Sequence, residues 1–161
     1  MVNAGMLEGR EVTWFPSYGA EIRGGTANCT VILSDAFIGS PVAAHPDILI
    51  VMNEESLNRF LPQLRRDGIL FFDSSLIRKP VPRTDIETVV VPATDISGRL
   101  GDTKSANMVM FGGWIAKTGL VQKESAFQAL ESLMAGGQKH LIETNKKAIS
   151  EGINYVEHTK S

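Results

Sequence analysis

Residues 16–35, PSYGAEIRGGTANCTVILSD, bring a turn, an arginine, a glycine pair and an alternating apolar run together in one short stretch. Pro16-Ser17-Tyr18-Gly19 has turn chemistry, since proline fixes φ and glycine accepts φ > 0. Gly24-Gly25 allows the backbone to approach a ligand or another chain with no Cβ between them. Arg23, next to that pair, carries a planar fork of donors matched to a phosphate or a carboxylate. The same residues also fit an ordinary loop in which Arg23 pairs with a surface carboxylate such as Glu21. From Thr26 onward the pattern alternates: Ala27, Cys29, Val31 and Leu33 point one way, and Thr26, Asn28, Thr30, Ile32 and Ser34 mostly the other. The alternation predicts a strand and places Cys29 among apolar neighbours as a buried, inert thiol.

Other polar residues stand where elements should end. Asn53 follows an apolar run and would lie at the carboxyl end of a parallel strand, where ligand sites of α/β sheets gather. Asp73, Ser74 and Ser75 end the next run in the same way, so Asn53 and Ser74 would share one rim. Strand termination and helix capping explain these residues equally well. Asn145 falls on an apolar helix face and needs hydrogen-bond partners there, which suggests a tie to a loop. Asn107 invites the same reading. Arg65, Arg66, Arg78, Lys79 and Arg83 form a local basic concentration, read either as a solvated face or as a contact for an acidic partner or a phosphate. His45, His140 and His158 lack the spacing of metal ligands and read as surface residues. Met108, Met110, Met134 and Trp114 read as core filling. The chain shows no paired carboxylates, no nucleophile with its base, no Walker loop and no complete dinucleotide fingerprint.

The elements that must position these residues follow from periodicity. Strands are expected at 11–15, 26–34, 47–52, 69–73 and 87–91. The runs DILIVM, GILFF and TVVV have the character of strands buried on both faces. A helix over 54–66 would present Leu57, Phe60, Leu61 and Leu64 as its apolar stripe. Strand–helix–strand with short links implies a right-handed crossover and a parallel pair. A short helix over 95–100 would end at Gly101, and a longer one over 105–117 would start on Ser105 as N-cap and stop at Gly119. Residues 125–134 carry Phe127, Leu130 and Met134 at helical spacing and end at Gly136-Gly137. The helix over 138–156 would turn Ile142, Asn145, Ile149, Gly152, Ile153 and Val156 to one side, forming a helical tail on an α/β sheet.

The chain has 161 residues, 43% of them hydrophobic and 21% charged, which fits one domain with a substantial core. A net charge of −2 gives no general pull toward nucleic acid. No run of eighteen apolar residues and no export signal is present, so neither a membrane nor secretion is expected and the cytoplasm is the natural compartment. A single cysteine excludes an internal disulfide and an iron–sulfur cluster held by this chain alone.

The stretch 16–35 resembles the signature of the gamma subunit, or gamma domain, of 2-oxoacid:ferredoxin oxidoreductases. Three further segments resemble the same family in the same order: GSPVAAHPDILIVMNEESLNRFLPQLRRDGILFFDSSLI, VPATDISGRLGDTKSANMVMFGG and ETNKKAISEGINYV. Together they span nearly the whole chain from about residue 5. The resemblance implies a Rossmann-like three-layer α/β fold with a mostly parallel sheet and a helical C-terminal tail. Members of the family open with a strand, a glycine-rich turn and a helix. Here Met1–Arg10 resembles only the end of that helix, so the first strand and its turn are expected to be missing, which would leave neighbouring strands with unpaired edges.

The resemblance also implies a function. Enzymes of this family oxidatively decarboxylate pyruvate, 2-oxoglutarate or branched-chain 2-oxoacids to acyl-CoA and reduce ferredoxin. Their complexes use thiamine diphosphate, Mg, iron–sulfur clusters and coenzyme A, none of them bound by the gamma chain alone. The implied partners are alpha and beta subunits, in some cases a delta ferredoxin-like subunit, with ferredoxin as acceptor. The form PSYG–RGGTANC resembles that of 2-oxoglutarate- and branched-chain-type enzymes, with 2-oxoglutarate favoured. No catalytic residue and no metal ligand is assigned to this chain, and the isolated chain is expected to be inactive. Ser17, Tyr18, Gly19, Arg23, Gly24, Gly25 and Thr26 carry over as residues shaping the coenzyme A site and the subunit interface, and Asn53 joins them by its place at a strand end. A scaffold subunit that only stabilises the complex is the alternative. A free-standing Rossmann-like ligand-binding module is a third reading.

Overall fold

The order along the chain is helix α1 (Val2–Leu7), strands β1 (Glu11–Ser17), β2 (Asn28–Ser34) and β3 (Ile48–Val51), helix α2 (Glu54–Phe60) with a 3₁₀ turn at Leu61–Gln63, strands β4 (Ile69–Asp73) and β5 (Glu87–Val91), helix α3 (Ala93–Arg99), a 3₁₀ turn at Thr103–Ser105, and helices α4 (Ala106–Thr118), α5 (Lys123–Leu133) and α6 (Lys139–Thr159). This computed structural model describes residues 1–17, 27–134 and 139–159.

Strands β3, β4 and β5 form a parallel sheet in that order. Alternation sends their side chains to two layers. Val51, Leu70 and Phe72 pack with Leu57, Leu61, Leu64 and Ile77 on the α2 side. Phe71 and Val91 pack with Val109, Met110, Trp114, Ile149 and Ile153 on the α4–α6 side. The expected three-layer α/β arrangement with a helical C-terminal tail is therefore present. The central strand β4 is buried on both faces, as its sequence suggests. Strand β5 is not: only Val91 is fully buried. It is an outer strand, and Val90, in register with Phe72 on the α2 side, is exposed.

Residues 11–17 and 28–34 stand apart from this sheet. They pair antiparallel, from Glu11↔Ser34 to Ser17↔Asn28, as a separate two-stranded ribbon. Only ten residues lie between them, fewer than a parallel crossover needs, in keeping with the antiparallel pairing. Cys29 is exposed, against the buried thiol expected. The alternation gives its side correctly, but the ribbon extends beyond the element that covers that side.

Helix α2 ends earlier than its apolar stripe suggests. Pro62 lacks an N–H and its ring opposes the carbonyl four residues back, so the chain tightens into a 3₁₀ turn at 61–63. Leu57, Leu61 and Leu64 are buried, whereas Phe60 is only half-buried. Ser105 does not cap α4 through its side chain. Asp102 caps the preceding turn instead, accepting from the Lys104 N–H at 3.0 Å, while the Ser105 hydroxyl donates to the Asp102 carbonyl at 2.7 Å. Gly119 ends α4 in the left-handed conformation at φ 60°, as its sequence position suggests.

Helices α4 and α6 touch backbone to backbone. A Cβ on Gly112 would lie 2.8 Å from the Ile149 carbonyl carbon, and one on Gly152 2.8 Å from that of Val109. Asn145 is half-buried and its amide points at the Met134 sulfur, 3.8 Å away, which ties α6 to the end of α5. Lys146 adds an ion pair to Glu131 at 2.6 Å. Asn107, expected on a buried face, is exposed on α4. Gly136-Gly137, read as the end of α5, lie outside the described residues.

Candidate functional site

The residues read from sequence as a site fall at two places. Strands β1 and β2 are rich in β-branched and aromatic residues (Val12, Thr13, Trp14, Phe15, Thr30, Val31, Ile32) that favour a pleated ladder. The ladder closes at Ser17↔Asn28, where the Asn28 side-chain amide donates to the Ser17 carbonyl at 3.5 Å. Ser17 and Asn28 are thus held side by side, and Ser17 is exposed. Tyr18, Gly19, Arg23, Gly24, Gly25 and Thr26 lie outside the described residues. At its base the ribbon is seated on α1, where Gly5 faces the side chains of Val12 and Leu33 at close range.

The second place is the carboxyl rim of the parallel sheet. Asn53 ends β3 and caps α2, its side-chain oxygen accepting from the Ser56 N–H at 2.8 Å. Asp73 ends β4 with no exposed surface. One of its carboxylate oxygens accepts from the Ser75 N–H at 3.0 Å, and the other from the Thr94 N–H at 3.1 Å and the Thr94 hydroxyl at 2.6 Å. The Ser75 hydroxyl in turn accepts from the Asp95 N–H at 3.0 Å. Asn53 and Ser74 do share one rim, as expected from parallel strands. Ser17 belongs to the other sheet. The main residue undervalued from sequence is Asp73. Its signal is an acid ending a wholly apolar strand, followed by Ser-Ser and answered by Thr94-Asp95 after the next strand.

The basic concentration is largely neutralised from within. Arg65 pairs with Asp47 at 2.9 Å, Lys79 with Glu54 at 3.1 Å, and Arg66 lies 3.8 Å from Asp85. Arg83 grips Asp85 with two nitrogens, at 3.0 and 2.7 Å, and also donates to the carbonyls of Leu61 and Leu64. It thereby satisfies the open carbonyls where α2 and its 3₁₀ turn end. The hydrogen bonds from Arg83 hold the Asp85 carboxyl below its ordinary range, and the same bonds raise the guanidinium.

Two surface cavities lined by described residues lie away from these places. One of about 320 Å³ opens at the amino ends of β3 and β4, beside Asp47, Arg65 and Lys117. The other, about 340 Å³, lies between α1 and α5 beside Met6, Leu7 and Ala129. Neither includes Ser17 or Asn53. Among the described residues no group of three or more His, Cys, Asp or Glu is placed to hold a metal ion. Cys29 is the chain's single thiol. No helix among them is long and apolar enough to cross a membrane.

The sequence matches the family of pyruvate ferredoxin/flavodoxin oxidoreductases over residues 1–155. The chain belongs to this family. Among members of the pyruvate ferredoxin/flavodoxin oxidoreductases, it is 34% identical over 158 residues to ketoisovalerate oxidoreductase subunit VorA of Methanothermobacter thermautotrophicus, covering 97% of this chain and 32% of VorA. The chain thus spans about a third of that relative. It is 30% identical to 2-oxoglutarate synthase subunit KorC of the same organism, covering 92% of this chain and 84% of KorC. In structure it resembles the gamma subunit of a keto/oxoacid ferredoxin oxidoreductase from Geobacter sulfurreducens, with a TM-score of 0.83, 28% identity and coverage of 98% of this chain and 88% of that one. That gamma subunit shares the fold described above.

Proposed function

We propose that this chain is the gamma component of a thiamine diphosphate-dependent 2-oxoacid:ferredoxin oxidoreductase. In that complex it shapes the coenzyme A site and the subunit interface through residues 17–26. The observation that carries this reading is the antiparallel pairing of Ser17 with Asn28, the residues that flank 18–27 in the chain. Thiamine diphosphate with Mg and the iron–sulfur clusters, held on alpha and beta components, supply decarboxylation and electron transfer. This chain's residues bind and orient. Arg23 pairs with a coenzyme A phosphate or an acidic partner group, Gly24 and Gly25 permit close approach, and Tyr18 stacks or donates a hydrogen bond. Asn53 lies on the rim of the parallel sheet, and its side-chain oxygen is engaged in capping α2. 2-Oxoglutarate is the favoured substrate, supported by the likeness to KorC over most of that subunit's length. Ferredoxin accepts the electrons, and the cytoplasm is the compartment.

The test is reconstitution of the alpha and beta components with this chain or with Arg23→Ala, followed by 2-oxoacid-dependent ferredoxin reduction at varied coenzyme A. Loss of a charge-assisted contact raises KM for coenzyme A about tenfold or more. Unchanged KM together with unchanged assembly would reject the Arg23 role. A scaffold subunit is the second reading. It is favoured by the internal use of Asp73 and Arg83, which support the fold and leave little free chemistry among the described residues. It predicts poorer assembly at constant KM.

A further inference from the structure

We propose that Glu8 is a latch that fixes the direction of the β1–β2 ribbon by locking helix α1 to the amino end of helix α5. The Glu8 carboxylate accepts a hydrogen bond from the Gln122 N–H at 2.6 Å, across 114 residues of chain. Gln122 is the N-cap of α5, and its own side chain makes no capping hydrogen bond. The start of an α-helix has N–H groups without intrahelical partners and carries partial positive charge. A carboxylate brought in from another element therefore satisfies a donor and meets a favourable field at once. The latch lies within the free chain and is independent of any partner subunit.

Two features make this one contact decide where the ribbon points. The first is a stiff corner between α1 and β1. Gly9 takes the left-handed conformation at φ 75°, and its N–H donates to the Met6 carbonyl at 3.0 Å. The Arg10 N–H donates to the Gly5 carbonyl at 3.1 Å. These are the two hydrogen bonds of a Schellman motif. The Arg10 side chain then lies 3.8 Å from Asp35, just past the end of β2. Helix α1 and the ribbon are therefore one arm. The second feature is a seam that apolar packing closes at one end only. Met1, Ala4 and Leu33 gather on the apolar cluster that holds Ala126 and Ala129 of α5, and form a pivot. Toward the carboxyl end of α1, Met6 and Leu7 are exposed and line a cavity of about 340 Å³ with Ala129 and Ser132. An arm seated on one pivot can swing about it. Glu8 supplies the second point of attachment, at the end where packing supplies none.

The experiment measures the direction of the ribbon in the full chain. One nitroxide is placed on Cys29, the single cysteine, which is exposed on β2. A second is placed on Glu151→Cys, an exposed position of α6. Pulsed electron paramagnetic resonance reads the distance between them. In Glu8→Ala the distance distribution is expected to shift and widen. Amide exchange in the β1–β2 ladder is expected to speed up about tenfold or more, the size set by loss of a hydrogen bond to a charged group, while exchange in β4 stays the same. Glu8→Gln keeps an acceptor oxygen and is expected to restore most of both readouts. An unaltered distance distribution in Glu8→Ala overturns the proposal. So does faster exchange confined to the first turn of α5, which would leave Glu8 a helix cap and nothing more. Equal acceleration in β1 and β4 overturns it too, because it marks a general loss of stability and not the release of an arm.

Discussion

Asp73 ends an apolar strand with its carboxylate out of solvent, yet every interaction it makes is to a neighbour that needs an acceptor. Asp73→Ala strands the N–H groups of Ser75 and Thr94 and the Thr94 hydroxyl. It should cost roughly 3 kcal/mol in urea unfolding, with Asp73→Asn costing less because one acceptor oxygen remains. Asp85 makes a pH-dependent contribution. Its carboxyl is held below the ordinary range by Arg83, so the stabilisation is complete above about pH 4 and is lost as pH falls through the lowered value. In Asp85→Asn the melting temperature at neutral pH should drop, and the further fall on acidification should become shallower than in the wild type.

At the scale of elements, the contact between α4 and α6 depends on glycines facing carbonyls. Gly152→Ala gains about 1 kcal/mol of helix propensity, but its new methyl meets the Val109 backbone, which cannot yield without moving a helix. Overpacking of this kind costs about 1–3 kcal/mol, and with backbone as the obstacle the upper end applies, so net destabilisation is expected in chemical unfolding. Gly5→Ala is the instructive contrast. There the new methyl would lie 2.6 Å from the Leu33 Cδ2, the end of a flexible side chain, and the loss should be smaller. The termination of α2 is also decided at this scale, since Pro62 and the carbonyls held by Arg83 convert an apolar stripe of helical spacing into a helix and a tight turn.

Across the whole molecule, burial is divided unequally. The parallel sheet lies between two apolar layers, whereas the β1–β2 ribbon is a separate sheet seated on α1 at one end. Amide hydrogen exchange should therefore be fast in β2, through local opening, and slowest at Leu70–Phe72, where exchange requires global unfolding. Uniform protection of both strands in the free chain would show that the ribbon is already as stable as the core.

Much of this was legible from short-range pattern. The run at 69–73 is a central parallel strand because its apolar β-branched and aromatic residues suit a ladder buried on both faces, and Gly119 stops α4 because it accepts φ > 0. The family was legible too, from ordered segments of sequence. What pattern could not supply were quantities set by distant partners. The exposure of Cys29 depends on how far α1 reaches along a ribbon. The exposure of Val90 depends on β5 being an outer strand. The role of Asp73 depends on Thr94, which the parallel pairing of β4 and β5 brings alongside. Periodicity along one segment fixes which way a side chain points. Only the packing of elements far apart in the chain decides what it meets there.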